Sequence, residues 1–169
     1  FRSSLSTGSM TVGGTITTSA GGGPTGAVGA FTLASGLATG TLILTGSSPF
    51  SIGGTFNANG ADATVQYAGA NQSVRTTTYG NLAISGTGIA TVGGAITINK
   101  GLSIISGGTL ADNGNTITGS GTGTFTMGAG STFIIGTSTT ATSFSGSILW
   151  QPGPWRIARE RAGRGKMAA

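Results

Sequence analysis

Three segments of this chain repeat one pattern at equal intervals. Thr11-Val12-Gly13-Gly14-Thr15-Ile16-Thr17 returns as Ser51-Ile52-Gly53-Gly54-Thr55-Phe56-Asn57, and again as Thr91-Val92-Gly93-Gly94-Ala95-Ile96-Thr97. The starts are 11, 51 and 91, a period of 40. A period of this size marks an array of stacked units, each too small to bury its apolar residues alone. A second motif, apolar-x-apolar-x-x-Gly, stands at Phe31-x-Leu33-x-x-Gly36, Leu102-x-Ile104-x-x-Gly107 and Phe125-x-Met127-x-x-Gly130. Its last two copies align further, with Leu110 answering Phe133 at the same offset of 23. Spacings near 20 with a double period of 40 predict stacked coils of about 20 residues, about seven of them over residues 10–146.

Within the coils the alternation has period two. Val65-Gln66-Tyr67, Leu82-Ala83-Ile84, Ile96-Thr97-Ile98 and Leu102-Ser103-Ile104 each send one set of side chains inward and the other outward. Val, Ile, Thr, Phe and Tyr suit a pleated surface. Turn-forming clusters separate the short strands at Asn59-Gly60, Ser85-Gly86-Thr87-Gly88 and Asp112-Asn113-Gly114-Asn115. No segment before residue 150 has helical periodicity with caps. The predicted fold is all-β: a β-solenoid, a right-handed parallel β-helix by the general crossover preference. The alternative is a β-sandwich, which also turns every 8–12 residues but has no reason to repeat itself.

Composition removes most chemistry. The 169 residues include 34 Gly, 29 Thr and 19 Ser, but no His and no Cys. Disulfides, Ser-His-Asp or Cys-His catalysis, and metal sites built on His or Cys are therefore excluded. No apolar run approaches the roughly 18 residues of a membrane helix. Residues 1–150 carry Arg2, Arg75 and Lys100 against Asp62 and Asp112, a net of +1. Residues 151–169 carry Arg156, Arg159, Arg161, Arg164 and Lys166 against Glu160, a net of +4. A body so nearly neutral offers no basic surface for nucleic acid.

Two regions follow: residues 1–149 as a solenoid segment and residues 150–169 as a Pro-, Trp- and Arg-rich tail. The start FRSSLSTGSM has no apolar signal core, so the chain reads as an internal piece of a longer protein. At Leu149-Trp150-Gln151-Pro152-Gly153-Pro154-Trp155 two Pro end strand pairing, and RIARERAGRGKMAA has the makings of a short basic helix. The tail is either a cap, with Trp150 and Trp155 over the last coil, or a non-native end.

Residues 63–117 carry a likeness. They read ATVQYAGANQSV, TYGNLAISGTG and ATVGGAITINKGLSIISGGTLADNGNTI. This resembles the β-solenoid repeat regions of large secreted bacterial surface proteins, of the adhesin and autotransporter-passenger type. The likeness covers about a third of the chain closely. It implies a stalk at the bacterial cell surface or in the extracellular space.

Candidate reactive groups are few. Glycoside hydrolysis needs two carboxylates flanking one bond. Asp62 and Asp112 are two and a half coils apart, about 12 Å along the axis, too far for either geometry. A lyase with Arg75 or Lys100 as base would lack acidic calcium ligands. Asp112-Asn113-Gly114-Asn115 has one carboxylate where a calcium site wants several, so it reads as a turn. Asn71-Gln72-Ser73 is a glycosylation triplet, here read as a polar corner. Gly163-Arg164-Gly165-Lys166 is not a phosphate loop. Thr-x-Thr pairs at 15/17, 76/78, 116/118, 122/124 and 137/139 resemble the ladders of ice-binding solenoids, but their spacing along the chain is irregular.

The expected function is a structural or adhesive stalk segment without catalysis. The alternatives are an ice- or carbohydrate-binding module and a degenerate polysaccharide-acting β-helix. No catalytic, cofactor or metal residue is assigned. The expected partners are glycans or a cell surface, met through outward Thr, Ser and Asn, and neighbouring coils of the parent chain.

Overall fold

A computed structural model describes residues 2–5, 8–18, 30–33, 39–52, 55–120, 122–136, 143–144, 147–150 and 156–159. Alternating apolar residues between Gly-rich corners produce short strands, which fall into triplets along the chain. The first holds β1 (Arg2–Leu5), β2 (Gly8–Val12) and β3 (Ile16–Thr18). The second holds β4 (Ala30–Leu33), β5 (Gly40–Leu44) and β6 (Phe50–Ile52). Next come β7 (Phe56–Asn57), β8 (Thr64–Tyr67) and β9 (Ser73–Val74). The long strands β10 (Thr78–Ile84) and β12 (Ile96–Ile104) each serve two walls, and are followed by β11 (Ile89–Val92) and β13 (Thr109–Ala111). Then come β14 (Ile117–Gly119), β15 (Thr124–Met127) and β16 (Thr132–Ile135), and last β17 (Ser143–Phe144), β18 (Ser147–Trp150) and β19 (Arg156–Arg159).

Like members of successive triplets pair in parallel. The result is an all-β parallel β-solenoid of about four turns, its coils about 21 residues apart. A sandwich is excluded, because its sheets pair antiparallel. The four turns fill the stretch described almost without a break, residues 55–136. The seven expected coils took in the flanking segments, where pairing continues but many residues lie outside those described. Coil length varies: Thr41 sits beside Thr64, Thr64 beside Asn81, Asn81 beside Gly101 and Gly101 beside Thr124, steps of 23, 17, 20 and 23.

We call the three sides walls one, two and three. Wall one runs through β4, β7, the first part of β10, the first part of β12, and β14. Wall two runs through β5, β8, the second parts of β10 and β12, and β15. Wall three runs through β9, β11, β13, β16 and β19. The turn between walls one and two falls at Gly80, where the pairing register of β10 shifts. Only Gly fits there, since a Cβ would lie 1.9 Å from the Gly60 carbonyl oxygen.

The core is a set of columns. On wall two, Leu42, Val65, Leu82, Leu102 and Phe125 lie in register, as do Leu44, Tyr67, Ile84, Ile104 and Met127. All ten are buried. Each buried Leu or Ile contributes about 1.5–3 kcal/mol relative to exposure, and only the coils above and below supply that cover. The 23-residue offset read from the sequence is a true rung: Leu102 pairs with Phe125, Ile104 with Met127 and Leu110 with Phe133.

The 40-residue repeat has a different meaning from the expected one. Val12 lies in β2 on wall two, Ile52 in β6 beside Thr18 of β3, and Val92 in β11 on wall three. The three copies therefore do not stack. In the first and third a Gly-Gly pair joins two strands, β2 to β3 and β11 to β12, and so encodes a corner; Gly53 and Gly54 of the second lie outside the described residues. The Gly-Gly pair lets the chain change direction at any vertex of the coil, and nothing in it selects which.

The tail also departs from expectation. Arg156–Arg159 is strand rather than helix, pairing with β16 from Thr132–Arg156 to Ile135–Arg159. Strand pairing is therefore present on both sides of Pro152 and Pro154, which themselves lie outside the described residues. Trp155 and residues 160–169, including Gly163-Arg164-Gly165-Lys166, lie outside the described residues, and so does Thr137/Thr139.

Candidate functional site

The two body carboxylates have structural partners. Asp62, at the corner before β8, meets the Lys100 ammonium at 2.8 Å. Both ends of that pair are well exposed, at 37% and 52%, so it contributes at most about 1 kcal/mol. Asp112 is 3% exposed at the end of β13. Its carboxylate accepts from the Gly114 amide at 2.9 Å and from the Gly136 amide, one coil on, at 2.6 Å. Asn113 and Gly114 take left-handed conformations, φ 52° and 74°, so the expected Asn-Gly turn is present. Asn115 extends the bracket by donating to the Val92 carbonyl at 2.9 Å. Asp112 thus ties three coils together through its turn. Asp62 and Asp112 lie two coils apart at different corners and do not form a pair.

The corner Asn71-Gln72-Ser73 works likewise. Gln72 is buried; its amide nitrogen donates to the Leu44 and Gly46 carbonyls at 2.9 and 2.7 Å, and its oxygen accepts from Gly69 at 2.8 Å. Asn71 is exposed, with φ 49°, and accepts from the Ile89 amide. This is the polar corner the sequence predicts. Among the described residues no three acidic or metal-binding side chains converge.

The one polar cluster deep in the core escaped the sequence reading. Tyr67 and Tyr79 come from walls two and one and are fully buried. Their hydroxyls are 3.2 Å apart. The Arg75 amide donates to Tyr67 Oη at 3.0 Å, and Tyr79 Oη donates to the Arg75 carbonyl at 2.6 Å. Tyr79 has only one proton, so Tyr67 must donate to Tyr79. The four groups close a ring that satisfies both backbone groups of Arg75. Burial pushes the Tyr67 hydroxyl up to about 12, against the lowering pull of the Arg75 amide. Burial also holds Tyr79 well above the ordinary tyrosine range. Two tyrosines twelve residues apart show no signal of this in the sequence; the alternation marks them only as inward.

The ring holds the Arg75 backbone beside a shallow groove of about 240 Å³ lined by Ser47, Ser48, Pro49, Phe50, Ser73 and Arg75. The guanidinium lies 5.8 Å from the Phe50 ring centre, within cation–π range. Lys100 pairs with Asp62, at a corner of the coil away from this groove.

Outside, wall one carries a file of small polar residues. Thr32 sits beside Asn57. The parallel bridge of Ala58 to Tyr79 brings Asn57 beside Thr78. Thr78 then pairs with Thr97, and Thr97 with Thr118. The intervening sequence steps are 25, 21, 19 and 21 residues, so a file that is irregular along the chain is regular in space. Thr78 and Thr118 belong to two of the Thr-x-Thr pairs noted above; Thr15/Thr17 and Thr122/Thr124 lie elsewhere. Phe31, Phe56, Tyr67, Tyr79, Phe125 and Phe133 are buried and Phe50 is half-buried.

No known protein family matches this chain, and neither a curated protein nor a solved structure does.

Proposed function

We propose that this chain is a structural rod, a stalk segment of an extracellular or bacterial surface protein that works by extension rather than by catalysis. The observation that carries the proposal is the run of in-register core columns from Leu44 to Met127. Such a body lengthens by adding coils at about 4.8 Å each, without altering those already present. The polar groups with an evident task support the same reading. Asp112, Gln72 and the Tyr67–Tyr79–Arg75 ring fasten one coil or wall to another. The surface setting comes from the likeness of residues 63–117 to adhesin and autotransporter repeats.

A spacer is favoured over a glycan-binding adhesin. Sugar rings pack their apolar faces on exposed aromatic rings, and from β4 to β16 every aromatic ring is buried or half-buried. Two assays test this reading. The chain should scatter X-rays in solution as a rod of constant cross-section and leave a polysaccharide panel intact. A globular scattering profile, or reducing-sugar release that follows the purified chain, overturns it.

A further inference from the structure

The chain has two Asn-Gly pairs, at residues 59–60 and 113–114, and the fold treats them differently. In this dipeptide the asparagine side chain can reach the next backbone nitrogen, because glycine has no Cβ to crowd the approach. Asn59 and Asn113 are both exposed. What differs is the nitrogen that follows each.

At the second pair that nitrogen is held. The Gly114 amide donates to the Asp112 carboxylate at 2.9 Å. Gly136 stacks on it so closely that a Cβ there would lie 2.2 Å from the same nitrogen. Asn115, bonded to the Val92 carbonyl, secures the chain on the far side. The bond to a charged acceptor must break before Asn113 can react, which slows that residue about ten-fold or more.

At the first pair the reacting atoms are free. Asn59 and Gly60 form the corner between β7 and β8. Among the described residues the Gly60 amide donates to no acceptor, and the Asn59 side chain has no hydrogen-bond partner. The flanks are tethered instead. The Asn59 amide donates to the Asn57 side chain at 3.3 Å, and the Gly60 carbonyl accepts from the Ala63 amide at 3.0 Å.

We propose that Asn59 is a site of spontaneous covalent modification, while Asn113, with the same neighbour, is protected by Asp112. The Gly60 nitrogen gives up its proton to solvent base and attacks Asn59 Cγ. A new C–N bond closes a five-membered imide, the Cγ–Nδ2 bond breaks, and the nitrogen leaves as ammonia with a proton from water. Water then opens the imide. Cleavage at Cγ leaves an aspartate, and cleavage at the main-chain carbonyl leaves an isoaspartate with one extra methylene in the backbone. The place is sensitive to that extra length. Ala58 on one side accepts from Gly80 at 2.7 Å, and Ala63 on the other accepts from Asn81 at 2.8 Å. The corner between two such anchors is closely fitted, because a Cβ at Gly80 would lie 1.9 Å from the Gly60 oxygen. Conversion therefore loosens the joint between walls one and two.

The test is peptide mapping of the full chain after incubation in mildly alkaline buffer. Trypsin cuts after Arg75, Lys100 and Arg156, so Asn59 and Asn113 leave in different peptides. Mass spectrometry reads the change from amide to acid in each, and fragmentation assigns the residue. In the folded chain Asn59 should convert about ten-fold or more faster than Asn113, and in urea the two should convert at similar rates. Asp112→Ala, shown to fold by circular dichroism, should speed Asn113 about ten-fold and leave Asn59 unchanged. Should that variant not fold, the folded and urea-unfolded parent chains decide. Equal rates at the two residues in the folded parent, or an Asn113 that stays slow in folded Asp112→Ala, overturns the proposal. The converted chain, separated by its added negative charge, should unfold at a lower urea midpoint than the parent; an unchanged midpoint overturns the loosening of the corner.

Discussion

The buried tyrosine ring makes an asymmetric prediction. Its protons run in one direction: Arg75 N–H to Tyr67, Tyr67 O–H to Tyr79, Tyr79 O–H to the Arg75 carbonyl. Tyr79→Phe removes a hydroxyl that both donates and accepts. It leaves the Tyr67 proton and the Arg75 carbonyl without their partners. Tyr67→Phe takes the Tyr67 acceptor from the Arg75 amide but keeps the bond from Tyr79 to the carbonyl. An orphaned buried polar group costs about 1–3 kcal/mol. Tyr79→Phe should therefore cost about 3 kcal/mol and Tyr67→Phe about 1–2 kcal/mol, allowing for the half-buried position of Arg75. The double variant loses the bond between the hydroxyls only once. Its cost should fall below the sum of the singles by about 1 kcal/mol, the size of one hydrogen bond. Urea unfolding followed by circular dichroism reads all three, given unchanged m-values. Equal costs for the two singles would refute the proton direction, and strict additivity in the double would refute the bond between the hydroxyls.

Further outcomes follow from the same contacts. Alkaline pH should unfold the chain early. Tyr67 is held protonated to about 12 when folded but ionises near 10 when unfolded, so its contribution is complete below pH 10 and lost as pH climbs to 12. That loss is about 3 kcal/mol, and a pH titration of the urea midpoint should show a decline that Tyr67→Phe lessens, the buried Tyr79 still contributing its own. Asp112→Ala should cost about 3 kcal/mol by orphaning the Gly114 and Gly136 amides, while Asp112→Asn, which retains an acceptor oxygen, should recover much of it. Equal losses in the two variants would contradict the bracket. Gly86→Ala should cost about 3 kcal/mol or more, because its Cβ would lie 1.9 Å from the Gly69 carbonyl oxygen in the coil below. Gly14→Ala meets nothing within 4 Å and should stay within about 0.5 kcal/mol of the parent; thermal melts of the pair check both.

What could be read beforehand was whatever neighbouring residues encode together. Inward and outward alternation is local, and the structure reproduces it at Leu102-Ser103-Ile104, whereas Ala83 is buried along with Leu82 and Ile84. The match of Leu102-x-Ile104 and Leu110 to Phe125-x-Met127 and Phe133 covered two walls at one offset, so it identified a real rung. The Val-Gly-Gly repeat misled because it is a corner motif, and a coil has more than one corner. The Thr file of wall one was hidden by unequal coil lengths: steps of 25, 21, 19 and 21 look random until the coils are stacked. The ring of Tyr67, Tyr79 and Arg75 and the brackets at Gln72 and Asp112 join residues that only the fold brings together. Their sequence neighbourhoods show an inward tyrosine or a polar turn and nothing more.

Parallel stacking in register is the claim on which the rest depends, and the absence of cysteine makes it directly measurable. Ser103 and Thr126 are outward partners on adjacent coils of wall two. Cysteines introduced at both positions stand at the spacing of adjacent strands, about 4.8 Å, which a disulfide can span. Mild oxidation of Ser103→Cys/Thr126→Cys should close that bridge within the monomer, and Ser103→Cys/Thr132→Cys, which joins two different walls, should remain reduced. Crosslinking of the second pair with none in the first would show that the coils do not stack as described.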